Sequence, residues 1–187
     1  MTDSTYKLGV LDAEHNESPY TPPHVWQQQA TSGPKRLVLA PRGGQVALLK
    51  ALAAVIPEPF GLLYVLVASR GEHEVGRYQS GPLSRLQVEA FLEEFETFLE
   101  LDGRHHVWIS SLESDALLVY DAHNIIYAYG PLRKFVEVAH DLGMQEGLPN
   151  VPYPHSHHYH STFDATADRL MRTWPWRRFP LEETDDD

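Results

Sequence analysis

The 187-residue chain has no cysteine, which excludes disulfides, thiolate nucleophiles and every zinc site built on a thiolate ligand. Long apolar runs are also missing. The longest, residues 61–68, falls far short of the ~20 residues that span a bilayer as a helix. Residues 1–6 are polar and acidic, without the basic and apolar segments of a signal peptide. A soluble, cytoplasmic protein with no membrane partner is therefore expected. Basic side chains are in the minority, 15 against 26 acidic ones, and the formal charge of −11 argues against a nucleic-acid partner. The strand-to-helix turn at 40–45 lacks both G-x-G-x-x-G and the P-loop lysine, and no G-x-S-x-G elbow of a serine hydrolase occurs.

What is present is enough for one core, with 42% hydrophobic and 11% aromatic residues. The acidity is concentrated at the ends. Residues 1–34, proline-punctuated and without a sustained period, read as an irregular N-terminal arm of net charge −3. Residues 182–187, EETDDD, read as a solvated acidic C-terminal tail of net charge −5. A single domain over 35–181 is left with only −3.

Within that domain the pattern predicts strands at 36–40, 60–68, 74–79, 106–110, 117–120 and 125–129. Helices are predicted from Gln45 to the stop at Pro57, from Ser84 to about Leu99, from Pro131 to Gly143 and from Asp164 to about Trp174. Ser84 and Gln87 have the spacing of a capping box, and Val88, Phe91, Leu92, Phe95, Phe98 and Leu99 follow at helical intervals. The glutamates on the opposite side of that helix read as a solvated face. Hairpins dominate, so the expected class is α+β: a largely antiparallel sheet of five to seven strands, with three to four helices packed mainly on one face. Gly81-Pro82-Leu83 and Gly130-Pro131-Leu132 each join a strand to a helix, and each helix precedes a pair of adjacent histidines. This suggests two β-β-α-β repeats whose last strands would be equivalent. Near the end, Trp174 and Trp176 read as rings that fold back over the core or serve a protein contact.

Histidine is in excess, with 11 copies, and four of them fall within 155–160. If this segment is a strand, alternation sends His155 and His157 to one face and His158 and His160 to the other. Each pair could contribute two imidazoles to a metal, while a catalytic site ordinarily uses three protein ligands and keeps an open position. The third would come from elsewhere, with His123 and Asp121 of the tight turn at 121–124 first in line, followed by His106 and Asp141. A divalent transition metal, zinc, iron or nickel, is the cofactor such a set would take. Two functions follow. The first is a binding protein, an interaction or inhibitor-like module with a protein partner and scope for homo-oligomers. The second is a metal-dependent hydrolase built on the histidine-rich strand.

Overall fold

The computed structural model describes residues 5–185. It is α+β, with nine strands in one sheet and three in a second. The strands are β1 (Leu8–Leu11), β2 (Glu17–Pro19), β3 (Val25–Gln29), β4 (Arg36–Ala40), β5 (Phe60–Leu66), β6 (Gly76–Gln79), β7 (His105–Ser111), β8 (Leu117–Tyr120), β9 (Ile126–Tyr129), β10 (Gln145–Glu146), β11 (His155–His157) and β12 (Arg177–Phe179). The helices are α1 (Gln45–Ala54), α2 (Arg85–Leu101), α3 (Leu132–Asp141) and α4 (Asp164–Met171). The large sheet runs β10-β3-β4-β9-β8-β7-β5-β6-β12, with every pair antiparallel except β10 with β3. The small sheet is β11-β1-β2.

Alternation decides which face each strand residue buries. Leu37 and Leu39, Leu62 and Tyr64, Val107 and Ile109, Leu118 and Tyr120 all join one core with the inward residues of the four helices. The capping box of α2 forms as its sequence implies, with the Ser84 side chain accepting from the Gln87 N–H. The start of α1 has no such residue, because Gly44 precedes it in a left-handed conformation (φ 66°). Glu100 of α2 supplies the missing acceptor at 2.8 Å from the Val46 N–H, so one glutamate of the acidic helix caps its neighbour. Trp174 and Trp176 do fold back, and Trp174 stacks on Phe91 with ring centroids 4.9 Å apart.

The sheets hold more strands than the five to seven expected. Segment 1–34 contributes β1, β2 and β3 instead of remaining irregular. These strands, with β10 and β12, are short or polar, so their backbone pairing leaves no apolar period in the sequence. The two histidine-bearing strands do not occupy equivalent places, since β7 lies inside the large sheet and β11 at the edge of the small one. The acidic tail also differs. Asp186 and Asp187 lie outside the described residues, but Asp185 is buried in a short 3-10 turn, Glu183–Asp185. There Arg77 Nε and Nη2 each donate to the Asp185 carboxylate at 2.8 Å, and Arg77 also pairs with Glu182.

Candidate metal centre

β11 is held by β1 along its length and, just past its end, by backbone contacts of His158. It pairs with β1 so that Leu8 faces His157 and Val10 faces His155. Just beyond it, the His158 N–H donates to Lys7 O, and the Gly103 N–H donates to His158 O, both at 2.9 Å. Gly103 permits this approach because a Cβ there would lie 3.2 Å from His157 Cβ and 3.1 Å from Lys7 O. A buried ion pair fixes the far end of the segment. Arg104 binds Asp102 through Nε at 2.7 Å and Nη2 at 3.0 Å, while Asp102 Oδ2 accepts the His160 N–H at 2.8 Å.

Within this frame, alternation separates the histidines. His155 and His157 project to the side where the 121–124 turn carries His123, and the three offer one ring nitrogen each, all within 4.8 Å of one another. Their ring centroids are 4.8 to 5.4 Å apart. That group could hold a metal ion. His158 and His160 face the other way. His158 Nε2 pairs with Glu17, which also accepts from Ser156 Oγ at 2.8 Å, and His160 Nε2 lies 2.8 Å from Tyr6 O. Although Ser156, His158 and Glu17 are neighbours, serine and glutamate meet the same imidazole nitrogen. A nucleophilic triad needs them on opposite nitrogens.

The hydrogen bonds of two triad members decide their tautomers. His123 Nδ1 lies 3.0 Å from Asp121 Oδ2, and His155 Nδ1 lies 2.9 Å from Pro152 O. Both oxygens can only accept, so each ring carries its proton on Nδ1 and keeps the Nε2 lone pair for a ligand. Nδ1 of His157 is buried with no hydrogen-bond partner among the described residues, an exception to the usual satisfaction of buried polar atoms. Burial first, and then the neighbouring His123 and His155, lower the pKa of His157 to about 4. At neutral pH the ring is therefore the uncharged species that metals bind.

Asp121 is not among the three. It is buried beneath them and serves as the orienting carboxylate, with Oδ1 accepting the N–H groups of His123 and Ile125 at 2.9 Å each. Burial pushes its pKa up, but the hydrogen bonds from the His123 ring and the Ile125 N–H outweigh it, so the net shift is downward. His106 reaches the same cavity of about 380 Å³, along with Asp185 and Tyr159. Asp141 ends α3 on the surface and lines a separate depression beside Pro57 and Lys134.

Several residues that build the site carry no signal in the sequence. Lys7 is fully buried and donates to the backbone oxygens of Leu99 and Asp121, both at 3.0 Å, so it anchors the turn that carries His123. Asp102, Gly103 and Arg104 anchor the histidine segment. Alternation in Tyr6-Lys7-Leu8 would have put Lys7 on the face opposite its neighbours, but not its burial.

Among the described residues, no helix is long and apolar enough to cross a membrane. Comparison with protein-family models, with curated proteins and with solved structures finds no match.

Proposed function

We propose that the protein binds one divalent transition metal ion through His123, His155 and His157 and uses it for hydrolysis. The observation that carries this reading is the convergence of three ring nitrogens within 4.8 Å, drawn from two separate elements. Three neutral imidazoles leave the charge of the ion uncompensated and some coordination positions free, the condition under which zinc lowers the pKa of bound water towards ~7. The chain's own residues support this in three ways. Asp121 holds the His123 ring from behind, as outer-shell carboxylates do. The cavity of about 380 Å³ gives a small substrate access. His106 lines the same cavity and, with a metal ion bound, would be a titratable group beside it that could hold or relay a proton.

A protein-binding module is the second reading, and it rests on composition. Among the described residues, the exposed large apolar side chains Leu142, Leu148, Tyr153 and Tyr159 fall within the single segment 142–159, while Val75, Leu86 and Leu112 lie elsewhere in the chain.

Elemental analysis and calorimetric titration of untagged protein with zinc, iron(II), nickel and cobalt separate the two. Near-stoichiometric binding is expected, lost in His123→Ala and in His157→Ala but kept in His158→Ala and His160→Ala. A folded protein that binds none of these ions at micromolar concentration overturns the metal reading and leaves the protein-binding one.

A further inference from the structure

The helix-free face of the large sheet holds a second cavity of about 370 Å³. Its lining includes the apolar Leu63, Trp108, Leu117 and Phe179 and the polar Arg77 and Glu182, which pair with each other. Its position relative to the histidines follows from strand register. His106 pairs with Val65, and Trp108 with Leu63. His106 and Trp108 are two residues apart on β7 and therefore point to the same face, roughly 7 Å from each other along the strand. One cavity contains His106 and the other contains Trp108. They also share a wall, since Arg77 lines the apolar cavity and Asp185 the histidine cavity, and the two side chains are joined by paired 2.8 Å hydrogen bonds.

We propose that this second cavity is the tail pocket of the metal site, so that the substrate is a hydrolysable compound carrying an uncharged aryl or alkyl chain. The inference rests on the metal reading above and gives it a substrate class. The chain would run beside the Arg77–Asp185 pair along β7, from His106 towards Trp108, and seat its end against Trp108 and Leu63. The chemistry of the pocket selects for an uncharged group. Arg77, the cation at its rim, is already paired with Asp185 and Glu182, so it does not attract an anionic tail. The remaining wall is mainly apolar, and the volume falls within the range of small-molecule sites.

Hydroxamates test this on the full chain loaded with cobalt(II), because hydroxamate coordination changes the visible cobalt spectrum. The probes are acetohydroxamate, 6-phenylhexanohydroxamate and a hydroxamate of similar length ending in a carboxylate. The phenyl-tailed probe should bind at least about tenfold tighter than acetohydroxamate, the value of burying an aromatic ring. The carboxylate-tailed probe should gain nothing. In Leu63→Trp, which fills the pocket, the ratio of phenyl-tailed to acetohydroxamate affinity should fall towards one. Ser110→Phe fills the same pocket from β7 and serves if the first variant does not fold. Cobalt bound with equal affinity for all three probes overturns the tail pocket and leaves the metal reading standing. Failure to bind cobalt at all overturns both.

Discussion

β7 and β11 each carry two histidines, and the spacing between them decides their fate. On β7 the pair is adjacent, His105 and His106, so the pleat sends one ring to each side of the sheet. His105 is fully buried among Tyr64 and Phe98, with Nε2 3.3 Å from Leu99 O, while His106 opens onto the cavity. On β11 the pair is separated by one residue, so His155 and His157 share a face and meet His123. A count of histidines cannot distinguish these strands, but a spacing of one or two can.

The sharpest break of this contrast treats the two strands alike. His157→Phe should abolish metal binding by more than about 100-fold, exceeding what loss of an orienting residue costs. His105→Phe should leave metal binding intact and change stability by less than about 1.5 kcal/mol. The small cost at His105 has a specific reason. Leu99 O would keep the Lys7 Nζ donor at 3.0 Å. His105 Nδ1, buried without a partner among the described residues, would be replaced by carbon. Calorimetric metal titration and urea denaturation of both variants check this. A loss of metal binding in His105→Phe would make the core histidine part of the site.

The same periodicity explains what could be read from the sequence. The strands and helices between 36 and 141 bury one face each, and burial imposes a period. Alternation likewise separated His155 and His157 from His158 and His160, and a tight turn made His123 a reasonable third partner. Charged residues that become buried leave no such trace. Lys7 and Asp185 are inside the protein because partners distant in sequence receive them, as Arg77 receives Asp185, while Asp102 and Arg104 pair with each other and are completed by His160 and Asp164 from far along the chain. The short strands β2, β10 and β12 are specified by backbone pairing at sheet edges, which any side chain tolerates. Asp121 was legible as a residue of the site, but its role was not, since ligand and orienting carboxylate differ only in which atoms they face.

That difference of role gives the next largest effect. Asp121→Asn preserves an oxygen for the N–H groups of His123 and Ile125 but removes the negative charge behind His123 Nδ1. Metal affinity should fall 10–100-fold, the usual cost of losing an outer-shell partner, against total loss in His157→Phe. Competition titration with a chromophoric chelator measures it. An unchanged affinity would mean that Asp121 only shapes the turn.

The smallest effect concerns Lys7, whose ammonium reaches Leu99 O of α2 and Asp121 O of the turn while its own backbone oxygen accepts the His158 N–H just past β11. Its ammonium lies 4.1 Å from the Tyr120 ring centroid and bonds two backbone oxygens. Burial nevertheless dominates the nearby carboxylates Asp121, Asp102 and Glu100, and lowers its pKa from 10.5 to about 7. An unfolded lysine keeps its proton up to about 10.5, so between about 7 and 10.5 the unfolded state binds more protons than the folded one. The contribution of Lys7 to stability therefore rises with pH across that window. The slope cannot exceed about 1.4 kcal/mol per pH unit for one proton. Urea denaturation at pH 6, 7, 8 and 9 should show the stability of the parent chain minus that of Lys7→Met staying flat below pH 7 and rising above it, as the parent gains stability that the methionine variant does not. Parallel pH profiles would show that Lys7 stays protonated in the fold. The two carbonyls and the Tyr120 ring would then be sufficient to hold a buried ammonium beneath the turn that carries His123.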